Sequence, residues 1–229
     1  MTYVGATWCG PCGANGDPTK EHIETTFGTD VVLLNVQSGD AISASSAFGP
    51  VFGDQFQTFA GASGIPHCYF SAANYVMTDH GFSSSITQFD GTINTVLGTA
   101  PTLGVIAEAT MSGGVVTVQT ATEFVSAAGQ HYIGVYLLED NVMADQVITG
   151  SSNAIVPHHN VIREAAYTAT PLGSQTMGAS FTGGERVEGT FTITVPATVV
   201  NSANLQVAVV IWNSTAADGI SNGITVEIN

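Results

Sequence analysis

The spacing of apolar residues over the first hundred positions indicates both helices and buried strands. Residues 31–36 form a continuous apolar run (VVLLNV), which predicts a strand buried on both faces. Residues 10–27 are predicted to form a helix that Pro18 kinks. Residues 83–97 are predicted to form another, because apolar residues three or four positions apart share one face. A short β-prone run, residues 2–6, precedes the first helix.

Three further elements are predicted between these helices. Aromatic and valine residues at helical spacing predict a helix within residues 41–60. Residues 66–71 and 75–78 are predicted to be two strands joined by a turn at residues 72–74. Because strands and helices alternate in this way, the pattern predicts a domain of mixed α/β structure over residues 1–99.

After residue 100, apolar residues alternate with polar ones at a period of two. The clearest run is residues 187–195, where Val, Phe and Ile alternate with Glu and Thr. Further strands are predicted at residues 103–110, 115–124, 132–138, 205–212 and 224–228, with residues 155–163 as an additional candidate. This series without helical segments predicts an all-β antiparallel sandwich, of the immunoglobulin or fibronectin type III kind, over residues 100–229.

The composition excludes several classes of protein. The chain has 229 residues, of which 44% are hydrophobic, so it can bury a core and is not intrinsically disordered. Three basic and 18 acidic residues give a net charge of −15, which leaves no basic patch for nucleic acid. No apolar run approaches the roughly 18 residues that a membrane span requires. We therefore predict a chain with no nucleic-acid partner and no membrane span.

The same composition carries an expectation about location. Abundant Gly, Ala, Ser, Thr, Val and Asn with few lysines favour an extracytoplasmic protein, in the periplasm, at the outer membrane surface or secreted. A secretory signal needs a basic segment followed by an apolar one, and Met1 is followed by neither. Either the protein is cytoplasmic, or its leader lies upstream of this chain; we expect the second, with any lipid anchor upstream as well.

One motif carries recognisable chemistry, and it consists of Trp8, Cys9, Gly10, Pro11 and Cys12. Cys9 stands at the predicted helix N-terminus, where free N–H groups and the helix dipole favour negative charge. This position is expected to lower the pKa of its thiol from about 8.5 towards roughly 7. Because the thiolate is the form that attacks a disulfide, Cys9 is the predicted nucleophile and Cys12 the resolving thiol. Pro11 suits an early helical position.

Two other interpretations of the cysteine pair stay open. A zinc site would need two further ligands, for which Cys68 and a histidine are the candidates, and the sequence has no second CxxC motif. An inert structural disulfide would need nothing more than the two cysteines. We expect neither a bound metal nor a cofactor, and we expect protein thiols and disulfides as partners.

The motif, together with Ile65-Pro66 and the order of elements over residues 1–99, resembles the thioredoxin superfamily. The resemblance implies that Cys9 attacks, that Cys12 resolves, and that Pro66 is cis and contacts substrate. Substrate contacts are accordingly expected at Trp8, Gly10, Pro11, Ile65 and Pro66. The sequence departs from the family at residues 2–6, where the carboxylate that assists proton transfer is absent, and the family's first strand and helix are missing.

The layout of the whole chain narrows the resemblance. The motif TWCGPCG near the start is followed in the second half by YLLEDNV (residues 136–142) and HHNVIR (residues 158–163). This combination resembles the outer-membrane-protein-28-related family, whose members are mostly exported and often lipid-anchored at the cell surface. Their biochemical role is poorly defined, so this resemblance implies a fold and a location more than an activity.

Several single residues have a structural interpretation as well as a functional one. Cys68 is predicted to be a buried, inert thiol, with a redox or metal-binding role as the alternative. His158 and His159 are predicted to lie in an exposed connection, with a divalent-cation site beside Glu139, Asp140 or Asp145 as the alternative. Arg163 is predicted to pair with a carboxylate such as Glu139, Asp140 or Glu164. Tyr3 and Trp8 flank the dithiol, either as a docking patch or as packing residues.

Two main hypotheses about function follow from these residues, beside a minor third in which Cys9, Cys12 and a histidine handle a metal ion. The first is an exported thiol–disulfide oxidoreductase in which the sandwich binds partners or places the protein at the surface. The second is a cell-surface binding or structural protein without catalytic activity, in which Cys9 and Cys12 form a structural disulfide.

Overall fold

The computed structural model describes residues 1–39, 42, 64–70, 73–76, 82–167, 172, 174–213 and 219–229. Strands predominate over helices in these residues. The first helix begins as a π-helical segment, Cys12–Gly16, and continues as α1, Asp17–Phe27; the second helix, α2, is Phe82–Leu97. Short 3₁₀ turns occupy Gly28–Asp30 and Ser202–Asn204. Both long helices agree with the prediction, and the helix predicted within residues 41–60 lies outside the described residues.

The strands described are numbered β1 to β14 in chain order. Those of the first half are β1 Thr2–Gly5, β2 Leu34–Gln37, β3 His67–Phe70 and β4 Ala73–Val76. Those of the second half are β5 Leu103–Ser112, β6 Val115–Phe124, β7 His131–Glu139, β8 Val142–Gln146, β9 Ala154–His158, β10 Val161–Ala165, β11 Ser174–Gly178, β12 Arg186–Thr194, β13 Leu205–Trp212 and β14 Ile220–Glu227.

The largest sheet joins strands from both halves of the chain. Its order is β14-β13-β7-β10-β2-β1-β3-β4, and β11 pairs with β7. The sheet is mixed, because β1 and β2 are parallel while β1 and β3 are antiparallel. Its two halves meet where β10 lies beside β2, with Val161 opposite Asn35. Strands from either side of residue 100 therefore share one sheet, and the boundary predicted there stays a prediction.

A second sheet packs on the large one to form a two-layer core. This sheet is antiparallel, has the order β12-β6-β5, and places alternate residues inward, as its period of two predicted. The apolar core between the layers includes Val118 and Phe191 from the small sheet and Val135 and Val209 from the large one. In the second half of the chain, strands of these two sheets therefore pack face to face, and β8 and β9 form a separate two-stranded sheet.

The opposite face of the large sheet carries a core that both halves share. Val4, Leu34 and Val36 of the first half pack with Leu138 and Val210 of the second. Burying side chains of this size contributes about 1.5–3 kcal/mol each, so the two halves stabilise one another. A third apolar cluster, which includes Tyr3, Ile23, Phe89 and Ile93, joins β1 to the two long helices.

Several strand boundaries differ from those predicted. Ala73 and Asn74, predicted as a turn, begin β4. The candidate strand at residues 155–163 is two strands that pair with different partners, and Asn160, between them, adopts a left-handed conformation (φ 52°) that extended strands do not contain. The prediction missed β8 and β11, which are five residues each and too polar for their period to be visible.

A buried ion pair lies beside the junction of β7 and β10. Arg163 and Glu139 are 1% and 0% exposed, and Arg163 Nε lies 3.3 Å from Glu139 Oε2. The guanidinium also donates to the carbonyl of Ile42 at 2.7 Å. The other oxygen of Glu139 accepts from the backbone N–H groups of Val200 and Asn201. The predicted pairing of Arg163 with a carboxylate is therefore confirmed.

Among the described residues, no helix is both long enough and apolar enough to cross a membrane.

Candidate functional site

The two cysteines of the motif form a disulfide between the end of β1 and the first long helix. Cys9 and Cys12 are bonded, with an S–S distance of 2.09 Å. The carbonyl oxygen of Cys9 accepts from the N–H groups of Cys12 at 3.0 Å and Gly13 at 3.3 Å, so helical hydrogen bonding starts at Cys9. Cys9 therefore occupies the helix N-terminus that the sequence predicted for it.

The surroundings of the Cys9 sulfur favour a negative charge. The N–H of Cys12 points at Cys9 Sγ, with the nitrogen 3.2 Å from the sulfur. An N–H donor at this distance, added to the helix dipole, stabilises a thiolate relative to a thiol. On the other side, Cys9 Sγ lies 3.7 Å from the carbonyl oxygen of Ile65, and the Ile65–Pro66 peptide is cis, as predicted. Cys9 thus lies beside Ile65 and Pro66, two of the five residues expected to contact substrate.

The disulfide lies below an accessible rim. Cys9 is 4% exposed and Cys12 is 1% exposed, whereas Trp8 is 58% exposed. Pro11 is also exposed, and Trp8 Nε1 donates to the carbonyl of Ser38 at 3.3 Å. A partner would therefore meet Trp8 and Pro11 before it reached the sulfur of Cys9.

Tyr3 and Trp8, which flank the dithiol in the sequence, have opposite surroundings in the structure. Tyr3 is fully buried, and the ammonium of Lys20 lies 4.3 Å from the centre of its ring. Burial raises the pKa of Tyr3 well above its usual value, and the nearby Asp17 carboxylate adds to the shift. Of these two residues, only Trp8 is available for docking, since Tyr3 packs in the third apolar cluster, between β1 and the two long helices.

A hairpin from the second half of the chain covers one flank of the motif. Strands β8 and β9 pair with each other, and the segment that follows β8 runs along the cysteine loop. The N–H of Val147 donates to the carbonyl of Thr7 at 2.8 Å, and the N–H of Thr149 donates to the carbonyl of Gly10 at 3.0 Å. Local sequence patterns gave no signal for this contact.

The close approach of the hairpin explains why the motif carries glycines. A Cβ atom on Gly13 would lie 2.9 Å from Gln146 Cγ and 3.0 Å from Ile148 Cγ1. A Cβ atom on Gly10 would meet the hydroxyl of Thr149. At Gly13 the nearest atom to such a Cβ would be the backbone carbonyl oxygen of Val147, so only glycine fits there unless the hairpin moves away, whereas the Thr149 hydroxyl could rotate away from a Cβ on Gly10.

The amide of Gln146, the last residue of β8, reaches the backbone of the motif directly. The residue is 1% exposed. Its Nε2 donates to the carbonyl of Cys9 at 3.1 Å, to that of Val147 at 2.8 Å and to that of Ala6 at 3.4 Å. No motif or periodicity singled out Gln146 in the sequence.

The third cysteine is buried away from solvent. Cys68 lies on β3 opposite Tyr3 of β1, and it is 0% exposed. Burial raises the pKa of its thiol far above the usual value, so Cys68 is protonated at neutral pH. These properties agree with the predicted buried, inert thiol.

The histidine pair does not form an exposed connection. His158 is 1% exposed and pairs with Val142 at the base of the hairpin, so the predicted exposure is wrong for this residue. Its side chain points inward because alternate residues of β9 face the protein. His159 lies in the following turn, with Nδ1 3.9 Å from Asp140 Oδ1. Within the described parts of the chain, no three His, Cys, Asp or Glu side chains are grouped to hold a metal ion.

The comparisons with known proteins reveal a similar fold. HBP35 of Porphyromonas gingivalis matches with a TM-score of 0.73 and 13% identity, over 99% of this chain and 74% of that one. A domain of the outer membrane lipoprotein Omp28 from Porphyromonas gingivalis matches with a TM-score of 0.37 and 14% identity, over 57% of this chain and 91% of that one. At such identities the first likeness concerns the fold alone, and the TM-score of the second is too low to carry an argument. No protein-family model matches the chain, and no curated protein matches it.

Proposed function

We propose that this protein is an extracytoplasmic thiol–disulfide oxidoreductase that exchanges disulfides with protein partners through Cys9 and Cys12. The proposal depends mainly on one observation, the position of the Cys9 sulfur. It lies at a helix N-terminus, 3.2 Å from the backbone nitrogen of Cys12 and 3.7 Å from the carbonyl oxygen of Ile65. A thiolate there is stabilised by the helix and by a directed N–H donor.

The exchange proceeds in two steps that conserve atoms and electrons. In the reduced protein, the Cys9 thiolate attacks one sulfur of a partner disulfide, forms a mixed disulfide and displaces the other partner sulfur as a thiolate. Cys12 then loses its proton and attacks the Cys9 sulfur, which releases the second partner thiolate. Cys9 and Cys12 end oxidised and the partner ends with two thiols. A dithiol or glutathione-type donor must supply the two electrons for the next cycle.

We also propose a fold for residues 1–99, a family for the chain and a location for the protein. We infer a thioredoxin-like arrangement for residues 1–99, supported by the parallel β1–β2 pair, the helix between them, and the β3–β4 hairpin followed by α2. The motifs at residues 136–142 and 158–163 support membership of the outer-membrane-protein-28-related family. An extracytoplasmic location is supported by the composition, which is rich in Gly, Ala, Ser, Thr, Val and Asn and poor in Lys.

A second candidate function is a binding or structural protein in which the disulfide only fastens the start of the helix. The observation that favours it is the low exposure of Cys9 and Cys12, at 4% and 1%. A covered disulfide is slow to exchange, because the attacking thiolate must approach along the S–S bond.

Turnover of a disulfide substrate separates the two candidates. The reduction of insulin by dithiothreitol is measured with the wild-type protein, Cys9→Ser, Cys12→Ser and the control Cys68→Ala. We expect acceleration by the wild type and by Cys68→Ala and none by Cys9→Ser. When reduced Cys12→Ser is freed of dithiothreitol and mixed with insulin, a mixed disulfide through Cys9 should accumulate, because no second thiol is present to cleave it. The absence of Cys9-dependent exchange, together with a reduction potential below about −300 mV, would instead assign the pair to a structural role.

A further inference from the structure

Three donors crowd the carbonyl oxygen of Cys9. The N–H groups of Cys12 and Gly13 and the amide of Gln146 lie at 3.0, 3.3 and 3.1 Å from it. A carbonyl oxygen has two lone pairs, so the donors share it and each is held less tightly than it would be alone. The orientation of the Gln146 amide is fixed, because all three of its neighbours are carbonyl oxygens and only the NH₂ end can face them.

The N–H of Cys12 has a choice of two acceptors. It lies 3.0 Å from the carbonyl oxygen of Cys9 and 3.2 Å from the sulfur of the same residue. A second strong donor on the carbonyl makes that oxygen a poorer acceptor for the Cys12 N–H. The Gln146 amide therefore leaves this N–H more available to a thiolate on Cys9.

We propose that Gln146 is a positioning residue that stabilises the Cys9 thiolate indirectly, by occupying the Cys9 carbonyl. The inference rests on the proposed function, in which the reactivity of that thiolate matters. It makes the dithiol dependent on the β8–β9 hairpin, which belongs to the second half of the chain. It also identifies a role for a buried amide that lies 137 residues from Cys9 in the sequence.

The test measures the pKa of the Cys9 thiol in chemically reduced protein, from the pH dependence of its alkylation by iodoacetamide. Gln146→Met keeps the length of the side chain and removes the donor. We expect the pKa to rise by about half a unit, which slows alkylation below the pKa about threefold. At a pH above both pKa values, the equilibrium constant with glutathione should shift about threefold as well, so the reduction potential measured there falls by about 14 mV at 29.6 mV per tenfold.

The matched control is Gln119→Met, because Gln119 is exposed on β6, a strand that belongs to a different sheet from the hairpin. It should leave the pKa of Cys9 unchanged. A folded Gln146→Met protein with an unchanged Cys9 pKa would overturn the proposal, since a purely structural amide would affect stability without affecting ionisation.

A measurement on the wild-type protein covers the case in which Gln146→Met fails to fold. The side-chain amide resonances of Gln146 are followed by NMR as the reduced protein is titrated. We expect their chemical shifts to change with pH at the same midpoint as the ionisation of Cys9. Chemical shifts that do not change as Cys9 ionises would refute the coupling. Failure of the proposed function appears elsewhere, as an absence of insulin reduction by the wild type, so the two failures are distinguishable.

Discussion

Replacing Arg163 by methionine should destabilise the folded protein strongly. The substitution leaves the carboxylate of Glu139, which is 0% exposed, without its cationic partner. Removing one member of a buried pair typically costs about 3–5 kcal/mol, because the remaining charge stays buried. Two backbone N–H groups, at 2.7 and 2.6 Å, still donate to Glu139 in the variant. We therefore expect the free energy of unfolding to fall by nearer 3 than 5 kcal/mol.

Thermal and urea unfolding provide the assay. For a chain of 150–250 residues, 1 kcal/mol shifts the Tm by about 2–4 °C, so a loss of about 3 kcal/mol lowers it by about 6–12 °C. The chain supplies a matched control in Arg186, whose Nε lies 3.1 Å from Glu188 Oε1 with side chains 52% and 72% exposed. An exposed pair contributes about 0–1 kcal/mol, so Arg186→Met should barely change the unfolding curve.

A double variant tests the assigned cause. Glu139→Gln combined with Arg163→Met removes the buried charge as well as its partner, so it should recover part of the stability that Arg163→Met loses. A loss of unfolding free energy in Arg163→Met no larger than that in Arg186→Met would refute the assigned cause. It is also refuted if the double variant is less stable than the two single losses added together, because that would mean the pair does not interact favourably.

Two other substitutions test the packing and electrostatics around the site. Gly13→Ala should lower the free energy of unfolding by about 1–3 kcal/mol, because its Cβ would lie 2.9 Å from Gln146 Cγ. Gly91→Ala, on an open face of α2, should instead raise it by about 0.8–1 kcal/mol. Urea unfolding measures both changes, and equal effects would argue against the contact at Gly13. Burial raises the pKa of Glu24, so the folded state binds a proton more tightly than the unfolded state and stability falls as pH rises between the two pKa values. Glu24→Gln should therefore be more stable than the wild type at pH 7 and equal to it below about pH 4, which urea unfolding at the two pH values measures.

Local patterns predicted the features that depend on local interactions. The helix at residues 82–97 has apolar residues at helical spacing, and β12 alternates apolar and polar residues, so each reveals which face is buried. The placement of Cys9 at a helix N-terminus followed from the motif for the same reason, since capping and helix start are set within a few residues. The pairing of Arg163 was predictable because few basic residues are available and a buried one needs an acidic partner.

The contacts that shape the site are non-local, and sequence patterns do not encode them. Gln146 lies at the end of a five-residue strand with a mixed burial pattern, and its partner Cys9 is 137 residues away. His158 was expected in solvent because it neighbours polar residues, yet the pleat of β9 turns it inward. Strand β10 sits beside β2, a parallel pairing that only the tertiary fold decides.

The buried pair and the dithiol are connected through one short stretch of chain. Glu139 ends β7, and β8 starts at Val142 and ends at Gln146, whose amide binds the Cys9 carbonyl. The chain before the hairpin is thus held by the pair of Arg163 with Glu139, and the end of β8 by the motif, because breaking either contact would leave buried polar groups unpaired.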